Sequence, residues 1–194
     1  MLTRFLRAAK SLLRGTEGVA AAELALVMPI LLLLMLGGFE ISRLVWLEVK
    51  LDRVVVSMGD LVARQQAVNT STISNLYTAV SQIAAPFPTG NSSVVIVSSI
   101  SLDASSKPKL NWQTKGGGTM TATSRVAPCN GTITLPTGLT LQQGDVLIVS
   151  EVFYNFVPAT GQGLLSTMTL YKNVYFRPRV GTLDTLQGAT QTCS

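Results

Sequence analysis

Arg14-Gly-Thr-Glu-Gly-Val-Ala-Ala-Ala-Glu-Leu-Ala-Leu-Val-Met-Pro-Ile-Leu-Leu-Leu-Leu-Met-Leu-Gly-Gly-Phe39 is the stretch that decides the fold. From Leu24 to Phe39 it holds no charged residue, and extending it back to Val19 adds only Glu23. A helix rises about 1.5 Å per residue, so about 20 apolar residues cross the roughly 30 Å hydrocarbon core of a bilayer. The stretch is long enough to span. A buried core helix can be equally apolar, but seldom follows four bases near a terminus, here Arg4, Arg7, Lys10 and Arg14. A cleaved secretory signal places its small residues after the apolar run. Here Ala20, Ala21 and Ala22 precede the run, and Gly37-Gly-Phe-Glu40 follows it. An uncleaved signal anchor is the alternative that fits the same pattern.

Outward from the span, orientation rests on weak asymmetry, because Arg43, Lys50 and Arg53 follow the helix and the rule counts Lys and Arg on both sides. The short basic leader and the exported character of the C-terminal part place the N-terminus in the cytoplasm. Beyond Phe39 the helix is expected to continue. Leu44, Leu47, Leu51, Val54, Met58 and Leu61 recur at three- and four-residue steps and share one face. Glu48, Lys50, Arg53 and Asp60 fall on the opposite face. A helix from Val19 to Arg64 has 46 residues and a length of about 70 Å. Pro29 lacks an N–H and its ring clashes with the preceding turn, so a kink is expected there.

Residues 65–71 are polar, and Thr70 or Ser71 can cap a second helix with Ile73, Leu76, Tyr77, Val80 and Ile83 on one face. Pro86 and Pro88 end it. From Ser93 the period changes to that of strands. Val94 to Ile100 reads as a strand, with Lys109 to Lys115 its hairpin partner across Asp103 to Pro108. Gly116-Gly-Gly118 opens a Thr/Ser-rich irregular stretch. Asp145 to Phe156 is the strongest strand, and Thr167 to Phe176 the last. Helices followed by hairpin-joined strands define an α+β fold with a small antiparallel sheet, and the amphipathic half of the first helix is expected to cover one face of it. The chain divides into a leader (1–18), a transmembrane part of the long helix (19–43), its amphipathic continuation (44–64) and an extracytoplasmic α+β domain (65–194).

Composition narrows the chemistry. The net charge of +5 looks like a nucleic-acid signal. Residues 1–18, with four bases and Glu17, supply +3 of it, and the remaining 11 bases and 9 acids supply +2. No basic stripe interleaved with aromatics appears beyond Lys172, Arg177 and Arg179, so nucleic acid is not a partner. The absence of histidine removes His triads, His metal sites and His proton shuttles together. Gly161-Gln-Gly163 lacks the third glycine and the strand–helix context of a dinucleotide site. Asp145, Glu151 and Asp184 are too scattered to read as a metal site. No catalytic residue, cofactor or metal is expected, and the chain does not read as an enzyme. Cys129 and Cys193 are the only cysteines. Two distant cysteines in an oxidising compartment commonly form one bridge, worth about 4 kcal/mol on the chain-entropy model; the alternative is two free thiols.

Glu23 needs a physical reason, because a carboxylate inside a spanning helix costs up to about 2.5–3.5 kcal/mol. It can sit at headgroup depth, or it can meet a positive partner when subunits pack. A basic leader, Gly18, Glu23 five residues later, and an apolar helix containing Pro29 together resemble a prepilin signal of the type IV kind, and more narrowly the TadE-like pseudopilins of tight-adherence (Tad, Flp-type) pilus systems. Gly37-Gly-Phe-Glu-Ile-Ser-Arg43 also resembles that family's helix continuation, while Leu24 stands where an aromatic is usual.

The resemblance implies cleavage by a membrane prepilin peptidase between Gly18 and Val19. It implies that Glu23 pairs with the Val19 amine of an adjacent subunit, with partners among pilin and minor pilin subunits and the pilus assembly machinery. It places the chain in the bacterial inner membrane, with its domain in the periplasm or carried into the extracellular pilus. The implied role is a pseudopilin or minor pilin acting in priming, at the tip or as an anchor, in surface attachment. The alternative is an unprocessed, signal-anchored binding or sensor module.

Overall fold

A computed structural model describes residues 17–160 and 165–188. Its dominant element is one continuous helix, α1 (Glu17–Ala63), which runs through Pro29 without a break. The leader bases, Gly161 to Gly163 and Cys193 lie outside the described residues. After α1 come β1 (Val68–Asn69), α2 (Thr70–Ile83), β2 (Ser93–Leu102), β3 (Pro108–Gly116), β4 (Val146–Phe156), β5 (Met168–Phe176) and β6 (Leu186–Gln187). The four long strands form an antiparallel sheet in the order β3-β2-β4-β5. This is the expected α+β layout of a long apolar helix followed by a small antiparallel sheet.

The upper half of α1 lies across that sheet. Leu47, Leu51, Val54, Met58 and Val62 are buried in one core with Val95 and Val97 of β2, Ile148, Val152 and Phe156 of β4, and Leu170 of β5. Close approach is possible because Gly59 carries no side chain; a Cβ there would meet the Phe176 ring at 2.5 Å. The helix α2 packs alongside, with Ile73, Tyr77 and Val80 buried. Its Tyr77 ring lies over Gly116 of β3, and its hydroxyl donates to the Thr114 carbonyl at 2.9 Å.

Both faces of the sheet are covered, which is why β2 and β4 read as near-continuous apolar runs rather than alternating ones. The face away from α1 holds Val94, Ile96, Ile100, Leu147, Val149 and Phe153, and the irregular stretch after β3 packs on it through Met120, Val126, Ala127, Leu135 and Leu141. The Thr/Ser-rich composition of that stretch hides its role as a lid on the sheet.

Two local expectations are corrected. The cap of α2 is Asn69, not Thr70 or Ser71: its backbone is extended, and its side-chain oxygen accepts from the Thr72 N–H at 2.7 Å. The same extended backbone lets Val68 and Asn69 pair in parallel with Leu186 and Gln187, so the supposed polar linker contains a short strand. The acids assigned to the free face of α1 are also engaged. Glu48 pairs with Lys172 at 2.8 Å, and Asp60 pairs with Arg64 at 2.6 Å and Arg179 at 3.0 Å. The Glu48 hydrogen bond holds the Lys172 pKa above its ordinary value, against the opposing effect of burial.

Candidate membrane-anchoring and assembly site

The lower half of α1 is bare. No residue from Gly18 to Phe39 is buried, and Val19, Leu26, Leu34 and Met35 are among the most exposed apolar side chains of the molecule. A helix that presents leucine on every side to water is unstable in water, so this half is built for a lipid or protein environment. It is the one described helix long and apolar enough to cross a membrane. Gly18 and Val19 lie in its first turn, and Glu23 follows one turn after Val19, exposed and without an ion-pair partner among the described residues. Pro29 sits farther along the same bare stretch. Gly18, Val19, Glu23 and Pro29 therefore share one segment, remote from the sheet domain.

The bare half ends abruptly at Glu40, which is fully buried. One carboxylate oxygen accepts the Thr160 backbone N–H at 2.7 Å, and the other meets Arg43 at 3.1 Å. The Arg43 guanidinium in turn stacks on Phe156, 5.6 Å from the ring centroid, and on Phe39 at 6.0 Å. The loop after β4 is thus tied to the helix at the first residue past the bare stretch. Sequence reasoning missed this latch. Its local signal was an acid closing an apolar run with Arg three positions on, but the residue that buries it lies 120 positions downstream.

A second buried carboxylate, Glu151 of β4, organises the far face of the sheet. It accepts a short hydrogen bond from the Ser124 hydroxyl, the Arg125 N–H at 2.9 Å, the Val126 N–H at 3.3 Å and the Tyr171 hydroxyl at 2.7 Å. Burial, followed by the hydrogen bond and charge of Glu151, pushes the Tyr171 phenol well above its ordinary pKa, so it remains a donor at physiological pH. Arg125 covers that ring at 4.4 Å.

Asp145 instead pairs with Arg177 at 3.5 Å, and Asp184 lines a separate open cleft of about 630 Å³ with Asp103 and Asp145. Glu151 therefore does not join the other two acids, and no cluster able to hold a metal occurs among the described residues. A cleft of about 590 Å³ between α2 and β3 is lined by the hydroxyls of Ser74, Thr78, Ser81 and Thr114 together with Lys115. Cys129 Sγ lies 3.2 Å from Gln113 Oε1 on β3.

One bare helix long and apolar enough to cross a membrane, clasped by a small sheet domain, suggests single-pass membrane anchoring. Residues 18–59 match the family model for TadE-like proteins, so this part of the chain is similar to that family. The match covers α1 and stops before the sheet domain. No curated protein and no solved structure shows a significant match to the chain. The family expected from Gly18, Glu23 and Pro29 is the one found.

Proposed function

We propose that this protein is a pseudopilin or minor pilin, cut by a prepilin peptidase between Gly18 and Val19 and co-assembled with pilins in Tad pilus biogenesis. The observation that carries the reading is the position of Glu23. It stands one turn beyond Val19 on a bare apolar helix, with no partner among the described residues. Cleavage would create an amine at Val19. A buried charge left unpaired is costly, and pairing it with its opposite relieves both. The Glu23 carboxylate of one subunit and the Val19 amine of another would set helix register. In this reading the leader is cytoplasmic, the domain is periplasmic, and assembly carries it toward the pilus in a priming, tip or anchoring role that serves attachment.

The mature N-terminus tests the processing step. N-terminal sequencing in cells that contain the prepilin peptidase should start at Val19, and in cells that lack it the leader should remain. A leader retained in both would transfer the protein to the signal-anchored class of binding or sensor modules.

We also propose that Cys129 and Cys193 form one bridge in the exported domain, tying the C-terminal end to the flank of β3. No free cysteine occurs among the described residues, and Cys193 lies outside them. Non-reducing peptide mapping should recover the two cysteine peptides linked. Recovery of two alkylatable thiols from the native protein would reject the bridge.

A further inference from the structure

The end of the sheet domain nearest the bare helix carries no charge on its turns. Three segments form it: Pro86 to Asn91 after α2, Gly117 to Ala122 after β3, and Val157 to Thr160 after β4. The first two are joined, since the Thr119 N–H donates to the Gly90 carbonyl at 2.8 Å, and the strand leading into the third is held beside the first, since the Asn155 N–H donates to the Ser92 carbonyl at 2.7 Å. Each lies within a long uncharged run. No Asp, Glu, Lys or Arg occurs between Arg64 and Asp103, between Lys115 and Arg125, or between Glu151 and Lys172. The opposite end of the sheet, by contrast, holds Asp103, Lys107, Asp145 and Arg177. Pro86, Pro88, Val157 and Ala159 are exposed at the uncharged end.

The helix fixes where this end must sit. The bare segment from Gly18 to Phe39 has 22 residues, about 33 Å of helix, which matches a hydrocarbon core of roughly 30 Å. Glu40, the next residue, is bonded to Thr160. No linker separates span from domain, because α1 is continuous through both. Raising the domain off the bilayer would draw apolar residues of the span into water. Trp46, half-exposed and edge-on to Phe87 at 5.5 Å between centroids, stands about 9 Å above Glu40, and tryptophan is enriched in the interfacial zone.

We propose that this uncharged end is a lipid-contacting surface: the domain rests directly on the bilayer that α1 crosses, with Val157 and the Pro86–Pro88 turn in the headgroup zone. Turns without ions meet that zone with no charge of their own to desolvate, the buried Glu40 beside them is already paired with Arg43 and Thr160, and the surface is continuous with the span. Seating would fix the tilt and rotation of the domain relative to the membrane before any assembly partner arrives. The inference rests on α1 crossing the bilayer and is independent of any pilus role.

The test is photo-crosslinking of the full chain in phosphatidylcholine nanodiscs, with p-benzoylphenylalanine replacing Leu33, Val157 or Ser105 one at a time. Intact mass reads lipid adducts. Leu33 and Val157 should both label, with Val157 several-fold above Ser105 in the β2–β3 turn at the far end. Labelling of Leu33 with Val157 no higher than Ser105 overturns the seating and keeps the span. Absence of lipid adducts at both Leu33 and Val157 overturns span and seating together. A protein dimer adduct at Val157 in place of lipid overturns the proposal in favour of contact between two copies of the chain.

Discussion

Replacing Glu151 by Ala is expected to cost about 4 kcal/mol and to lower the melting temperature of the domain by about 10 °C, taking about 2–4 °C per kcal/mol for a chain of this size. The carboxylate is fully buried and receives four donors, from Ser124, Arg125, Val126 and Tyr171. Each donor left buried without an acceptor costs about 1–3 kcal/mol. Water entering the space can recover part of that, which keeps the total below the sum. The loss should be local first. Ser124 to Val126 hold the irregular stretch against the sheet, so its release should make the bond after Arg125 accessible to trypsin before the sheet unfolds. Glu151→Gln should fall between the two, since its amide oxygen can still accept one of the backbone N–H groups. Thermal unfolding of the full chain in detergent, read by near-ultraviolet circular dichroism, checks the first statement, and limited proteolysis checks the second. An unchanged melting temperature in Glu151→Ala would mean that the carboxylate's hydrogen bonds are matched by equally good bonds to water, contrary to its burial.

What was legible in the sequence was whatever local pattern controls. The first helix, expected over Val19 to Arg64, is found over Glu17–Ala63, because apolar residues at three- and four-residue steps leave no other structure. The strands expected at Val94–Ile100 and Asp145–Phe156 are found at Ser93–Leu102 and Val146–Phe156. What was not legible depends on distant partners. The β1–β6 pair has two residues in each strand and joins Val68 to Leu186, a separation at which no periodicity can signal pairing. Glu48 and Asp60 looked solvent-facing on a helical wheel, yet lie on the flanks where Lys172 and Arg179 reach them. Glu40 and Glu151 both sit in or beside apolar runs, and only the fold shows that each is buried and fully hydrogen-bonded. The family signature at Gly18, Glu23 and Pro29 was the most readable part of the candidate site, because short motifs are local.

Replacing Glu23 by Ala is expected to remove the protein from assembled pilin complexes while leaving its fold, insertion and processing intact. The charge pair proposed between Glu23 and the Val19 amine would lie in a low-dielectric packing of apolar helices. Removing one member of such a pair strands the other charge, a loss of about 3–5 kcal/mol, or a fall of about two to three and a half orders of magnitude in the association constant. The side effects run the opposite way. Alanine in a spanning helix is cheaper to insert than glutamate by up to about 2.5–3.5 kcal/mol, so Glu23→Ala should reach the membrane at least as well as the native chain. The domain should melt at the native temperature, since Glu23 lies almost five turns below Glu40, the first described residue the domain buries. A defect confined to assembly therefore cannot be ascribed to insertion or folding. Glu23→Asp, with the charge kept but one methylene shorter, should recover part of the association, whereas Glu23→Gln should recover little, since its amide carries no charge to offset the amine. Affinity capture with pilin subunits, scored beside an N-terminal sequence that still starts at Val19, reads all three variants. Native levels of capture by Glu23→Ala would sink the pairing, and with it the reason for a carboxylate in this helix; Glu23 would then be a residue at headgroup depth on a signal anchor.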